Sequence, residues 1–305
     1  MNPRSLPVEL QSAPLPNAQE DIPLKELRTE VNAWLKAADT GSLPSAWTRL
    51  LRSLKAGIRI VVHQNGELTL IARGTAAENI STEDDSASLI GKEVTLAAHS
   101  KDVWQWADLF CRSIGLPEKL HQDIVLAAWL HDAGKADPRF QQWLAGGSAV
   151  KLAIQNELLA KSAQTSRDAR AVERARWQAG YPKGYRHELL SVALIEKSPD
   201  WLAEHAHDAE LVLHLVGAHH GWCRPFAPLI DHDSDLTVRL TLADGPNGLT
   251  ADFSAATRHR LARLDSGVTD RFWTLTERYG WWGLAWLEAI LRLADHRASS
   301  QGEPQ

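Results

Sequence analysis

The sequence predicts a mainly α-helical protein that carries a small N-terminal α+β module. From about residue 93 onward, apolar residues recur at helical spacing along most of the chain. Before that region, Ile58 to Val62 and Glu67 to Ile71 flank Asn65-Gly66, which is a strong hairpin signal. Residues 74–92 lie between the two regions and carry acidic side chains among Ser and Thr, as a linker does.

The N-terminal part divides into three segments. Residues 1–24 are rich in proline and polar side chains, lack periodicity and are predicted to be a flexible lead-in. Residues 25–73 form the small α+β module, in which two short helical patterns, about 24–38 and 44–56, precede the hairpin. Residues 74–92 are the acidic linker, where we place the domain boundary.

Residues 93–298 are predicted to form the second domain, an all-α bundle, and residues 299–305 a tail. The helical patterns span roughly residues 95–114, 117–133, 138–145, 149–161, 187–197, 208–220, 254–264 and 268–294. Residues 231–250 are rich in turn-forming residues and predict a loop with room for a short hairpin through Thr237 to Leu242.

Length, charge and cysteine content bound the function. A chain of 305 residues can bury one large core with a small appended module. The formal net charge is −5, so any contact with nucleic acid has to come from a local patch. Cys111 and Cys223 form no C-x-x-C pair, which argues against a disulfide framework or a zinc ribbon and favours a reducing compartment. Without an apolar run of about 18 residues or an apolar N-terminal core, we expect a cytoplasmic protein with no membrane partner.

Five polar elements recur in order along the helical domain, each inside or at the end of a predicted helix and flanked by apolar residues. They are His99, His131-Asp132, His187, His219-His220 and Asp295. Polar side chains on apolar helix faces are costly unless they find partners. Taken singly, each has a structural explanation, such as a core histidine, a helix-end carboxylate or a C-terminal cap. Taken together, they favour a shared metal site, because one such site would satisfy all of them.

Asp132 is suited to bridge two ions. The side chains of adjacent helical residues point about 100° apart, so His131 and Asp132 cannot comfortably chelate the same ion. They can hold two ions if the Asp132 carboxylate bridges between them. Two ions about 3.5–4 Å apart can hold a phosphodiester for hydrolysis. Imidazoles with carboxylates suit Mn, Fe, Ni, Co or Zn better than Mg. We therefore expect two divalent transition-metal ions and a catalytic role for Asp132.

Lys135 is the second candidate catalytic residue. It lies one turn beyond His131, and Gly134 between them allows a close approach. Its ammonium group could reach a substrate phosphate or donate a hydrogen bond to a metal ligand. The alternative is an ordinary solvated lysine at a helix end.

Five strings carry these residues: 95–100, 130–141, 185–189, 218–221 and 293–298. The second of them contains H-D-x-G-K-x-D-P-x-F-Q over residues 131–141. In this order the strings resemble the HD superfamily of metal-dependent phosphohydrolases. More narrowly, they resemble the HD nuclease domain of the CRISPR-associated helicase-nuclease of type I systems. The resemblance covers about residues 93–298.

The resemblance implies a ligand set, a substrate and partners. One ion would be bound by His99, His131, Asp132 and Asp295, and the other by Asp132, His187, His219 and His220. The implied activity is metal-dependent cleavage of single-stranded DNA in antiviral defence, with a helicase that supplies the strand and a CRISPR surveillance complex. No G-x-x-x-x-G-K-[ST] loop occurs, so we expect the helicase to be a separate chain or a part of a longer polypeptide that precedes this one.

A long insert separates Asp132 from His187 and offers a candidate strand-binding surface. From residue 161 to residue 186 it holds seven basic residues, with Trp177, Tyr181 and Tyr185 interleaved. A surface that binds a single strand needs cations to neutralise the phosphates and aromatic rings to stack on the bases; we call such a surface a strand track. The candidate nucleic-acid residues are Arg167, Arg170, Arg174, Arg176, Trp177 and Lys183. The alternative is a solvated helix with alternating charge.

Two other functions stay open on the sequence alone. The first is an HD phosphohydrolase that acts on nucleotides, which needs a closed pocket where a nuclease needs an open groove. The second is a non-catalytic docking subunit whose metal site is structural. A full ligand set disfavours the second, because an unused site gains nothing from an open coordination position.

Overall fold

The computed structural model describes residues 29, 31–33, 58–62, 68–72, 88–164, 168–228, 235–263 and 265–301. The chain divides into two compact units, residues 1–82 and residues 83–305. In the first unit, β1 (Ile58–Val62) pairs with β2 (Leu68–Ala72) in an antiparallel hairpin, as the sequence predicts. The lead-in and almost all of the predicted helices at 24–38 and 44–56 lie outside the described residues.

The second unit is mainly helical, which confirms the mainly α-helical part of the predicted fold class, although four short strands make the predicted all-α bundle wrong in detail. Its helices are α1 (Leu96–Ser113), α2 (Glu118–Leu130), α3 (Pro138–Leu144), α4 (Ala149–Ile154), α5 (Ala169–Gln178), α6 (His187–Glu196), α7 (Pro199–His205), α8 (Ala209–Ala218) and α9 (Val268–Gln301). Its strands are β3 (Val94–Thr95), β4 (Leu159–Lys161), β5 (Thr237–Leu242) and β6 (Ala251–Ala256). Among the described residues, no helix combines the length and the apolar content needed to cross a bilayer.

The core of the second unit lies among α1, α2, α6, α8 and α9. Helix α1 buries Val103, Ala107 and Cys111, which are spaced four residues apart and therefore share one face. In α6 and α8, by contrast, consecutive residues are buried over 187–195 and 211–218. Helices that are buried on every side lie in the interior, so these two helices form the centre of the bundle.

Strands β3 and β4 join the start of α1 to the region that follows α4. Val94 lies opposite Lys161, and the Leu96 N–H donates to the Leu158 carbonyl at 2.7 Å. Leu89 also bridges to Ser162. Residues 88–92, which the sequence assigns to the linker, therefore begin the packed part of the second unit.

Two predicted helices are wrong in whole or in part. Residues 251–256 form strand β6, paired with β5, where the sequence predicts a helix over 254–264. The burial alternates along β6 with Ala251, Phe253 and Ala255 inward, so its pattern has the period of a strand. The predicted helix over 149–161 ends at Ile154, and its last residues are β4 instead. Helices α5 and α7 have no counterpart among the predicted helical patterns.

Tryptophans on three helices hold the loop between β5 and β6. The indole N–H of Trp104 donates to the Asp244 carbonyl at 3.3 Å, and that of Trp201 donates to the Thr250 carbonyl at 3.3 Å. The indole of Trp129 lies directly on Gly245, where an added Cβ would be 2.7 Å from its Cε2 atom. Interiors packed this closely cannot accept another carbon atom without movement.

A buried polar contact joins α8 to α9. Nε2 of His214 lies 2.7 Å from Oε1 of Glu288, whose other oxygen pairs with Arg224. Burial lowers the pKa of His214 to about 3, and the charges of Arg271 and Arg224 contribute to this shift. His214 is therefore neutral in the folded protein at ordinary pH.

Replacing Gly245 by alanine should destabilise the second unit by about 1–3 kcal/mol through overpacking against Trp129. Gly245 has φ −70° and ψ 177°, which alanine also adopts, so the effect isolates the steric contact. Urea unfolding would measure it. Gly283→Ala is the matched control, because a Cβ added at this position would lie 3.7 Å from its nearest neighbour, the Cβ of Tyr279. Alanine in place of glycine within a helix stabilises the fold by up to about 1 kcal/mol. Equal stability of the two variants would contradict the packing argument.

The free energy of unfolding should fall as the pH drops below 6.5. His214 has its usual pKa of 6.5 in the unfolded chain and a pKa of about 3 in the folded chain. The contribution of neutral His214 to the free energy of unfolding is therefore fully present above pH 6.5 and is lost as the pH falls from 6.5 towards 3. His214→Gln keeps a donor for Glu288 but does not titrate. Urea unfolding at several pH values between 3 and 7 should therefore show that the free energy of unfolding depends less on pH in this variant. If that dependence is unchanged, His214 does not cause the loss of stability.

Candidate metal centre

The centre is built around a tight turn that follows α2. His131 ends the helix, Asp132 follows, and residues 133–136 form a short 3-10 turn. The turn rests on α6: the Ser191 hydroxyl accepts from the Gly134 N–H at 2.7 Å and donates to the His131 carbonyl at 2.8 Å. Gly134 has no room for a side chain, because a Cβ would lie 2.0 Å from the His187 carbonyl oxygen. This contact brings Asp132 next to His187.

The rest of the H-D-x-G-K-x-D-P-x-F-Q string secures the turn from its other side. Asp137 caps α3 through the Arg139 N–H at 2.8 Å and also pairs with the Arg139 guanidinium. The Gln141 amide donates to the Lys135 carbonyl at 2.6 Å and to the Leu159 carbonyl at 2.8 Å. These polar residues of the string therefore have a structural task, which explains why these residue types occur together.

Asp132 lies at the middle of the centre, and its two oxygens face different histidines. Oδ1 is 3.0 Å from Nε2 of His187 and 3.9 Å from Nε2 of His219. Oδ2 is 3.4 Å from Nε2 of His99 and 3.4 Å from Nε2 of His131. A carboxylate in this position can contact cations on both sides.

Asp295 joins the centre from α9, with Oδ1 3.1 Å from Nε2 of His99. The donor atoms form two groups that could each hold a metal ion. The first group consists of His99, His131 and Asp132, and the second consists of His187, His219 and His220. Within each group, the donor atoms lie within 4.8 Å of one another. The structure thus brings together all seven residues that the sequence analysis selects.

The tautomers of two histidines suit metal binding. Nδ1 of His131 lies 2.8 Å from the Ala128 carbonyl, and Nδ1 of His219 lies 2.7 Å from the Val216 carbonyl. Carbonyl oxygens only accept, so Nδ1 carries the proton and Nε2 presents its lone pair to the centre. Both Nε2 atoms are buried without a hydrogen bond. A buried acceptor without a partner is costly, and a cation at the centre would satisfy it.

The pKa shifts agree with this arrangement. Burial lowers the pKa of His99 to about 4, and burial holds the pKa of His219 well below its usual value. Burial alone would raise the pKa of Asp132, but the neighbouring His131 and Lys135 bring it well below the usual value. Neutral imidazoles and an ionised carboxylate are the protonation states that metal ligands require.

Lys135 is buried, so it is not a solvated lysine at a helix end. Its Nζ lies 2.7 Å from Oδ2 of Asp132 and donates to the Ala160 carbonyl at 3.4 Å. Of the two roles that the sequence offers for this residue, the geometry matches contact with a ligand of the centre.

The basic insert contains helix α5, whose surface is largely solvated. Arg170, Arg174 and Lys183 are exposed, and Trp177 is 82% exposed. Arg176 instead packs its guanidinium over the rings of Trp143 and Tyr181, at 4.6 and 5.2 Å from their centroids. Arg167 lies outside the described residues.

Two features of the predicted strand track are wrong. Tyr181 and Tyr185 are 3% and 1% exposed, so their rings pack in the core and cannot stack on bases. Lys161 and Arg186 are also buried. Their burial follows from β4 and from the segment before α6, neither of which is evident from local charge. Of the three aromatic side chains in the insert, all of them among the described residues, Trp177 alone presents its ring to solvent.

Sequence reasoning also misses Ser191, which fastens the turn to α6. A signal is present, because Ser191 is the one polar residue within the stretch 189–195 and lies four positions after His187, on the same face of the helix.

Gly134→Ala should disrupt the centre and destabilise the protein by about 1–3 kcal/mol or more, because the new Cβ would strike backbone atoms that cannot repack. Isothermal titration calorimetry with Mn²⁺ should show weaker binding, and thermal unfolding should show a lower midpoint. Gly283→Ala again serves as the control. Wild-type Mn²⁺ affinity in Gly134→Ala would show that the turn does not have to touch α6.

The chain matches a family model described as "Cas3, HD domain" over residues 88–302. The matched range contains all seven residues of the centre and more than half of the chain. Comparison with the curated proteins and comparison with the solved structures each found no match. The match and the geometry agree, and the chain belongs to the Cas3 HD-domain family of CRISPR-associated metal-dependent nucleases.

Proposed function

We propose that this protein cleaves single-stranded DNA at the metal centre and does so in CRISPR interference. The observation that carries the proposal is the position of Asp132, whose two oxygens face two separate groups of histidines. A phosphodiester is the substrate class that a bridged pair of cations handles best, since both its attacking and its leaving oxygen need stabilisation.

The proposed ligands follow from the two groups of donor atoms. His99, His131, Asp132 and Asp295 hold one ion, and His187, His219 and His220 hold the second together with Asp132. The donor set of imidazoles with two carboxylates favours Mn, Fe, Ni, Co or Zn over Mg. When bound, such ions activate water and neutralise charge on the leaving oxygen.

The protein itself supplies orientation and protonation state. The carbonyls of Ala128 and Val216 hold His131 and His219 with their lone pairs toward the centre. Lys135 contacts Oδ2 of Asp132 at 2.7 Å, and it acts through that carboxylate as a positioning residue. Burial of the centre strengthens each of these interactions, because water screens charges much less there.

The exposed part of α5, together with Lys183 in the segment that follows it, is the proposed path of the strand. Arg170, Arg174 and Lys183 can neutralise phosphates, and the exposed ring of Trp177 can stack on a base. We propose that a cytoplasmic helicase supplies this strand, because the sequence contains no phosphate-binding loop with which to unwind a duplex. The helicase acts either as a separate chain or as a preceding part of a longer polypeptide, together with a CRISPR surveillance complex.

Asp132→Ala should abolish cleavage of circular single-stranded DNA. Loss of the bridging ligand should cost more than the roughly 10–100-fold that loss of an outer hydrogen bond costs. The assay uses metal-stripped protein re-supplied in turn with Mn²⁺, Fe²⁺, Co²⁺, Ni²⁺, Zn²⁺ or Mg²⁺. Loss of the circle also establishes endonuclease cleavage.

Asp200→Ala is the matched control for this experiment, because Asp200 is exposed on α7 and belongs to no ion pair shown by the described residues. A nucleotide panel runs in parallel. Turnover of nucleotides with intact DNA would replace the nuclease by a small-molecule phosphohydrolase, and wild-type cleavage by Asp132→Ala would refute the bridged centre.

Arg174→Glu should weaken the binding of labelled oligothymidylate and lower the salt dependence of binding, by a slope of about 0.7 for each phosphate that the protein no longer neutralises. Lys119→Glu makes the same charge change at the start of α2, about 18 Å from His131 at a rise of 1.5 Å per residue. Fluorescence anisotropy at several salt concentrations would compare them. Identical slopes for the two variants would remove α5 from the strand path.

A further inference from the structure

The second half of α9 carries an exposed apolar stripe. Gly280 interrupts the helix with φ 70° and ψ 162°, and the stripe begins two residues later. It consists of Trp282, Trp286, Ala289 and Leu293, which follow one another at intervals of four, three and four residues and therefore lie in one row. Trp282 is 89% exposed, Trp286 49% and Leu293 56%, and Ala289 is half-buried. We call these four residues the α9 stripe.

The α9 stripe faces away from the metal centre. Asp295 comes nine residues after Trp286, and at about 100° per residue the two side chains lie on opposite sides of the helix. The side that bears Asp295 also bears Leu284 and Leu291, which are buried in the core. A DNA strand along the stripe would therefore lie on the side of the helix opposite the centre. The position of the stripe favours a protein partner instead.

The area of the stripe is sufficient for a small dimer interface. From the exposed fractions, and with roughly 200 Å² for a whole tryptophan side chain, the stripe exposes roughly 400 Å² of apolar surface. Patches of about this size on a monomer are often functional. Two facing copies would bury about 800 Å² of apolar area, and homodimer interfaces are about two-thirds apolar, so the whole interface would measure about 1,200 Å². This is the lower end of the standard range, which suits a weak dimer.

The order of large and small side chains makes the stripe complementary to itself. If two copies of α9 pack antiparallel about a two-fold axis at the middle of the stripe, Trp286 contacts Ala289 of the second copy, and Trp282 contacts Leu293 of the second copy. A large side chain then meets a smaller one at every position, as close packing requires. Spacing of three and four residues is also the spacing that two helices bury when they cross at about 20°. A two-fold interface needs such self-complementarity.

We propose that this chain forms a weak two-fold dimer, in which the α9 stripe packs antiparallel against the stripe of a second copy. The dimer goes beyond the proposed nuclease function and does not depend on it. Because Asp295 lies on the other side of α9, each metal centre stays outside the interface. The two copies should therefore cleave DNA equally well as monomers and as a dimer.

Sedimentation velocity of the full chain should show a change from monomer to dimer between about 1 and 100 μM, the affinity range of weak complexes. Trp286→Ala should raise the dissociation constant about tenfold or more, because interface tryptophans are frequent hot spots. Ala289→Trp should also raise it, since two indoles would then occupy the space of one. The double variant W286A/A289W exchanges the large and the small residue, so each indole again meets an alanine. It should recover most of the wild-type affinity.

Trp177→Ala is the control, because it removes an indole that is 82% exposed on α5, outside the stripe. It should sediment as the wild type does. If circular dichroism shows that the variants at 286 and 289 do not fold, Trp282→Leu and Leu293→Trp provide the same exchange at the other pair of positions. Their double variant should again recover the affinity that each single variant loses.

A wild-type chain that stays monomeric at the highest concentration would overturn the inference and leave the stripe to a different protein. Dimers that resist both single substitutions, or a double variant no tighter than the single ones, would also overturn it, because the stripe would not face its own copy in this register. Cleavage of circular single-stranded DNA separates the two proposals. A protein that dimerises through the stripe but cuts no DNA would refute the nuclease function and leave the dimer intact.

Discussion

The geometry of the centre depends on one backbone contact, that of the turn after α2 with the first turn of α6. The His187 carbonyl lies where a side chain of residue 134 would be, and the Ser191 hydroxyl joins the two segments. Backbone atoms held by hydrogen bonds cannot shift rotamer as side chains do. The separation of Asp132 from His187 is therefore determined by main-chain packing, and the other ligands are arranged around a fixed pair.

The sequence is a good guide where the information is local. The helical periodicity predicts most of the bundle. The order of His99, His131-Asp132, His187, His219-His220 and Asp295 predicts the centre, because each element lies within or directly after an apolar helical pattern. It fails where structure depends on distant partners. Strand β6 exists because it pairs with β5, and β4 exists because β3 and the Gln141 side chain satisfy its backbone. The burial of Tyr181, Tyr185 and Lys161 follows from tertiary packing of this kind and cannot be seen in local composition.

The centre and the insert use charge in opposite ways. At the centre, the imidazoles of His99 and His219 are neutral, and the ionised carboxylate of Asp132 lies beside the buried ammonium group of Lys135, where salt has little access. On α5, the exposed arginines are solvated, so the attraction for a strand that we propose for them would weaken with ionic strength. In the function that we propose, the buried charges act at one position, whereas the exposed charges would bind a strand regardless of its sequence.

Asp295 reaches the centre from α9, the last helix of the described chain, while His99 comes from α1, the first helix of the second unit among the described residues. Nearly two hundred residues separate them along the sequence, so their encounter is among the most non-local events in folding and carries a large loop-closure cost. A growing chain on the ribosome can form the turn after α2 and pack α6 on it, but it lacks the carboxylate opposite His99. The group of ligands around His99 is therefore complete only after α9 has formed and packed against α1.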